Sequence, residues 1–339
     1  MRKNIYSLTT SFLKFSFIII VIGKYVIVAQ TAVTGEWKSE NWSDKRDRDD
    51  NKIHLSFERR TENGRNNHGS SFAFSELQGL TREQTQNGRV NFRLVREAGT
   101  IECEGTFVNG KGSGTFRFTP DSGYVSAMRS RGFDFEKSNS KNNHEEGLES
   151  RLLSAALINV TTALADDLKS VGFGNLDTDD LFKAAIFKVD SKFMAEMTAT
   201  GFPDLKMEDL VKARIFKIDA DFVRKVNDMG FGTTNFEQLV KYSIFKVTPE
   251  FLNELKAAGF SNLSSEEVVK FRIFNVTPEL LTNLRNEGFA NLKAEEVVKF
   301  RIFNIDRDFI RRAKAEDPSV TVEELVKMKI GVRRTKNTY

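Results

Sequence analysis

At 339 residues, with 40% hydrophobic side chains, the chain has room for about two folded domains with cores of their own. Its 51 Lys and Arg stand against 47 Asp and Glu, interleaved where they are densest, which argues against a dedicated nucleic-acid surface. Cys103 is the single cysteine, so no internal disulfide forms and core burial must hold the fold.

The N-terminus carries Arg2 and Lys3, an apolar stretch centred on Phe15 to Gly23, and then Val26, Ile27 and Val28 ending at Ala29. This pattern predicts a secretory signal peptide over residues 1–29 and export to the periplasm or beyond. Lys14 and Lys24 keep the apolar run well short of the ~20 residues of a membrane-spanning helix. The alternative is an uncleaved N-terminal anchor, which would be the one attachment to a membrane. No cysteine follows the run, so a lipoprotein anchor is not supported.

From residue 33 to 118 the apolar period is two. Ile53, Leu55 and Phe57 alternate with polar neighbours, as do Val90, Phe92 and Leu94, then Ile101, Cys103 and Phe107, then Phe116 and Phe118. Asn109-Gly110 supplies a hairpin turn and Glu97 to Thr100 a second one, so a small antiparallel β sandwich or barrel is expected. Asn41 to Asn51 and Thr61 to Gly69 are polar enough to read as long loops. Cys103 falls in the apolar alternation and reads as core. Glu102 and Glu104 fall on the other face, where an Arg93–Glu104 cross-strand ion pair is expected. Gly35-Glu36-Trp37 resembles the Gly-x-Trp of lipocalin-like barrels, which would imply binding of a small apolar ligand in this domain.

Residues 119–150 read as a degenerate helix, Tyr124 to Met128 before Gly132-Phe133, followed by a polar linker from Glu136 to Gly147. Beyond it, residues 151–334 show a 29-residue period marked by Gly172, Gly201, Gly230, Gly259 and Gly288, each followed by Phe. Twelve residues before each glycine stands Val160, Val189, Ile218, Val247 or Val276. The fullest unit starts with Thr248 as N-cap and Pro249 in the first helical turn. It reaches a stop at Gly259 and restarts at Ser264 with Glu266 and Glu267 in the next first turn. Phe251 and Leu255 share one face; Val268, Val269 and Ile273 share another. Helices of about ten residues do not stand alone, so the pattern predicts an α-solenoid of about six stacked helix pairs and an α+β multidomain chain. Asp317 replaces the glycine in the last copy, where a polar cap is expected.

Chemical signatures are sparse. No phosphate-binding glycine loop, His-Glu-x-x-His or Cys-x-x-Cys is present, and His54, His68 and His144 are too scattered for a metal site. The expectation is a non-enzymatic protein with no cofactor and no metal. One polar feature is patterned: Lys183, Lys212, Lys241, Lys270 and Lys299 recur at the repeat period. Each follows an acid four residues earlier, at Asp179, Glu208, Glu237, Glu266 or Glu295. This spacing suits intrahelical pairs and equally a partner-binding ridge. The column Phe187, Phe216, Phe245, Phe274 and Phe303 reads as one core position per unit.

The start Thr248-Pro249-Glu250-Phe251 with Gly259-Phe260 and Leu263 resembles repeats in the extracytoplasmic regions of some bacterial BlaR-type transmembrane metallopeptidases and related envelope proteins. Leu94 to Thr100, Gly105-Thr106-Phe107 and Gly112 to Phe116 look like the domain that accompanies them. The membrane-embedded zinc peptidase domain of that family has no counterpart here. The resemblance therefore implies sensing or binding of another protein or an envelope component, with no catalytic residue carried over.

Overall fold

The computed structural model describes residues 32–39, 51–61, 64–137, 147–202, 205–228, 230–232 and 235–332. The expected signal peptide, nearly all of the loop expected from Asn41 to Asn51, and most of the polar linker lie outside them.

Among the described residues, seven strands form one antiparallel sheet: β1 (Val33–Ser39), β2 (Lys52–Thr61), β3 (Gly64–Ala73), β4 (Leu77–Gln78), β5 (Gly88–Arg96), β6 (Gly99–Val108) and β7 (Lys111–Pro120). Their order is β3-β2-β1-β7-β6-β5-β4. The sheet curls into a half barrel, so the expectation of a sandwich or closed barrel gives way to a single open sheet. One local reason is the link between its edges. β3 and β4 are joined only by the 3₁₀ turn Phe74–Glu76, so the sheet edges must approach within roughly 14 Å there.

Two local expectations are corrected. Much of the expected loop from Thr61 to Gly69 is edge strand β3, paired in full with β2. Asn66, Asn67, His68 and Ser70 carry no apolar alternation, and backbone pairing decides the conformation in its place. Arg93 stands opposite Glu102 and donates to Gln78 Oε1 at 3.0 Å, so the ion pair expected with Glu104 is replaced.

Trp37 anchors the sheet's apolar face. It is fully buried, its indole N–H donates to the Glu104 carbonyl at 3.1 Å, and Phe92 and Phe107 pack on its ring. Its ring lies over Gly105 and Gly114, which are paired across β6 and β7. A Cβ on either glycine would stand 2.7 Å from the indole and closer still to the facing backbone. Cys103 is buried on the same face, and desolvation pushes its thiol far above the ordinary value.

The helices fall into two alternating sets. The first comprises α1 (Ser122–Ser130), α3 (Thr162–Ser170), α5 (Ser191–Thr198), α7 (Ala220–Asp228), α9 (Pro249–Ala257), α11 (Pro278–Asn286) and α13 (Arg307–Glu316), interleaved with the second, α2 (Leu148–Ile158), α4 (Thr178–Phe187), α6 (Met207–Ile215), α8 (Phe236–Ile244), α10 (Ser265–Ile273), α12 (Ala294–Ile302) and α14 (Val322–Lys329). Thr161, Asp190, Asp219, Thr248, Thr277 and Asp306, 29 residues apart, each accept a hydrogen bond from the backbone N–H three residues on, and so cap α3 to α13.

Every helix of the two sets but α13, which runs into the extended Asp317, is followed by a left-handed residue. In the first set these are Gly132, Gly172, Gly201, Gly230, Gly259 and Gly288; after Gly132, Gly230, Gly259 and Gly288 the N–H of the following Phe reaches back to the carbonyl five residues earlier, as in Phe260 N to Leu255 O at 2.9 Å. The second set uses Asn159, Lys188, Lys217, Lys246, Asn275 and Asn304, with φ between 48° and 62°. The next residue, Val160, Val189, Ile218, Val247, Val276 or Ile305, is buried and bonds back in the same way. The recurring Val/Ile column is therefore the apolar seal of a helix end.

The second-set helices pack in succession, α2 on α4 and so on to α14, and α2 also contacts β1, β3, β6 and β7. His68, on the same sheet face as its neighbour Phe57, lies 3.1 Å from Ser154 of α2, which places α2 on the apolar face of the sheet. Leu152, Ala155 and Ala156 are fully buried there.

Three outcomes follow. Gly259→Val should cost about 1–2 kcal/mol in denaturant unfolding, because the left-handed conformation is strained for any residue with a Cβ. Lys246→Gly, relieving the same strain, should be neutral or stabilising. Cleavage at a protease site introduced between Lys137 and Gly147 should leave two fragments that co-elute on size exclusion, since α2 lies on the sheet; separation would contradict this packing.

Candidate partner-binding surface

The lysine ladder lies on the second-set helices, one residue per helix from α4 to α12. It pairs differently from the intrahelical expectation. Lys183 reaches Glu208 of the next helix in its row at 2.6 Å and Asp180 at 3.3 Å. Lys212 pairs with Glu237 and Lys299 with Glu323, again on the next helix of the row. The acids one turn earlier are thus used by the preceding unit. Stacking brings a lysine and the acid 24 or 25 residues on closer than helical spacing does. Lys241 and Lys270 are exposed and form no ion pair among the described residues.

These pairs perturb their members. The hydrogen bond from Lys183 holds the Glu208 carboxyl below its ordinary value, and that from Lys299 does the same for Glu323. The hydrogen bond to Glu237 raises the Lys212 ammonium. All lie near the surface, where solvent screens them, so each pair contributes little to stability.

Two further cation columns escaped the sequence reading. Arg272 donates to the carbonyls of Phe245 and Lys246, and Arg301 to that of Asn275. Lys169, Arg285 and Lys314 likewise donate to Arg131, Ala258 and Glu287 carbonyls of the preceding first-set helix. Cations satisfy the orphan carbonyls and face the negative end of the dipole. Lys256 and Lys314 also sit over the Phe231 and Phe289 rings. Thr198, Asn227, Ala185 and Ser243 interrupt these columns in sequence, which hid the period; a base just before or after each helix end was the available signal.

A third column departs from the expected core. Ile186, Ile215, Ile244, Ile273 and Ile302, 29 residues apart, are 49–52% exposed. Ile273 therefore leaves the face on which Val268 and Val269 are buried. In the adjoining phenylalanine column, Phe187, Phe216, Phe274 and Phe303 pack partly against the core and Phe245 is 36% exposed.

Elsewhere the residues offer little chemistry. Among the described residues no cluster of three or more His, Cys, Asp or Glu has metal-binding geometry, and no helix is long and apolar enough to cross a membrane. His54 and His68 lie on neighbouring strands and face Ser71 and Ser154; His144 lies outside the described residues. A groove of about 300 Å³ between α11 and α13 is lined by Thr277, Asn283, Glu287, Asn304 and Arg307. Of its three carboxylates, Glu279, Glu287 and Asp306, Glu287 is held below its ordinary value by hydrogen bonds from Arg307 and Arg311, a clamp between α11 and α13. The sheet's apolar face, where a small apolar ligand would have to bind, carries α2. Comparison with known protein families, curated proteins and solved structures finds no match for this chain.

The pair Lys183–Glu208 sets a pH dependence. Because the Glu208 carboxyl is lowered in the folded state, its contribution is present above the unfolded glutamate value of about 4.3 and is lost as pH falls through the folded one. Glu208→Gln should therefore lower the melting temperature slightly at pH 7 and not at about pH 3, with the difference at pH 7 shrinking in high salt.

Proposed function

We propose that the helices form an α-solenoid of 29-residue helix pairs, and that the protein is a non-enzymatic, exported scaffold or sensor module binding another protein or an envelope component through them. The carrying observation is the second-set row. From α4 to α12 each helix stacks on the next and presents a lysine, a half-exposed isoleucine and a partly buried phenylalanine at equivalent positions. Equivalent groups at regular spacing suit an extended partner that contacts several units at once. Export rests on the N-terminal sequence pattern alone. The likeness to BlaR-type envelope proteins rests on the repeat motif, and the comparisons add no support to it. Binding of a small apolar ligand by the sheet, with the helical part as a docking or dimerisation arm, is the weaker alternative, because α2 lies where such a ligand would pack.

Lys241 and Lys270 are the ladder members to probe, since their replacement breaks no ion pair. Purified full-length protein should retain its binding partners from an envelope extract, whereas Lys241→Glu/Lys270→Glu should lose most of that capture while melting within a degree or two of the parent. Undiminished capture by the double variant would move the binding surface elsewhere.

A further inference from the structure

Large aliphatic side chains that stay half exposed at five equivalent positions are a patterned departure from burial. Each of Ile186, Ile215, Ile244, Ile273 and Ile302 lies three residues after a ladder lysine, hence on the same helix flank, and two before the left-handed residue. Bases flank this column in the last turn of α6, α8, α10 and α12, while the acids of the same helices lie in the first turn. Lys188, Lys217, Lys241, Lys246, Lys270, Arg272 and Arg301 form no ion pair among the described residues. The stripe therefore joins aliphatic surface to cations that no carboxylate holds in an ion pair among the described residues.

Three occupants fit aliphatic surface: a second copy, a lipid bilayer and a polypeptide segment. Two copies would set these cations against their equivalents, which opposes self-pairing. A flat bilayer meets the longest side chains first. Here the isoleucines are half sunk, with Lys188, Lys217 and Lys246 standing exposed two positions away. A narrow chain running along the stripe reaches them without that obstacle. The spacing agrees: packed helices lie ~8–10 Å apart, and a polyproline-II segment returns a side chain to one face every three residues, or about 9 Å.

We propose that this isoleucine stripe binds an extended acidic polypeptide segment carrying an aliphatic side chain at every third residue. The aliphatic groups contact successive isoleucines, and carboxylates between them pair with the flanking cations. This rests on the scaffold reading and names its partner class.

The probe is a labelled peptide of about six Leu-Glu-Pro triplets, titrated into full-length protein and followed by fluorescence anisotropy. Binding should weaken at least tenfold when Leu is replaced by Ser in the peptide, when Glu is replaced by Lys, and in the protein variant Ile215→Ser/Ile244→Ser/Ile273→Ser. The first two comparisons use the unaltered protein and are independent of any folding defect. Absence of binding, or equal affinity for the Leu and Ser peptides, overturns the proposal. Binding of phosphatidylglycerol vesicles in place of the peptide assigns the stripe to membranes, and self-association abolished by the isoleucine variant assigns it to a second copy; either result also overturns it. Should the variant still capture its envelope partner while Lys241→Glu/Lys270→Glu does not, the scaffold reading stands and only the stripe assignment fails.

Discussion

The left-handed residue that follows every helix but α13 is the constraint on which the helical part depends. Helices of 8 to 11 residues are marginal in water, so their stability must come from apolar faces buried against neighbours. That burial requires the chain to reverse at once, and the left-handed residue with its six-residue bonded ring does so while satisfying two orphan carbonyls. The residue after it is forced inward and supplies the seal: Phe231 or Val247, for example, each no more than 3% exposed. Cap, reversal and seal form one device, used twice per 29 residues.

Half of that device was legible in the sequence. Glycine followed by phenylalanine announces a left-handed stop, and Thr248-Pro249 announces a start. The second stop was missed, because Asn159, Asn275 and Asn304, which favour that conformation, share the position with Lys188, Lys217 and Lys246, which do not. A lysine in that conformation carries a cost of about 1–2 kcal/mol that nothing in its side chain declares. Their Val/Ile successors were visible as a column, but the reason for the column appears only once Val247 N is seen bonded to Tyr242 O. Ile273 failed for a related cause. Placing it with Val268 and Val269 asked one helical face to extend through the last turn, where the chain is already leaving the core.

In the sheet, alternation located β5, β6 and β7 because their apolar sides face Trp37 and its neighbours. It missed β3, whose side chains are mostly polar on both faces. A strand held by backbone pairing to β2 on one side needs no apolar pattern to exist. The partner that completes the apolar face is also outside the sheet: α2 contributes Leu152, Ala155 and Ala156 to it while starting the second-set row. Those small and aliphatic residues carry the helical period like any later copy, so nothing in the sequence distinguishes a helix that packs on strands from one that packs only on helices.

The cations illustrate how stacking redistributes interactions that local spacing proposes. At four-residue separation Glu208 and Lys212 are natural partners, yet Glu208 is taken by Lys183 and Lys212 turns to Glu237. Each unit thereby lends its acid backward and its base forward, so the ion pairs tie units together where intrahelical pairs would only stiffen single helices. The arginines do the same through carbonyls. Where the relay breaks, Lys241 and Lys270, beside Ile244 and Ile273, form no ion pair among the described residues, and neither do Glu266 and Glu295, the acids 25 residues on. The interruption sits in the middle of the row, with paired lysines on both sides, so the lysines left out of ion pairs and the half-exposed isoleucines coincide there.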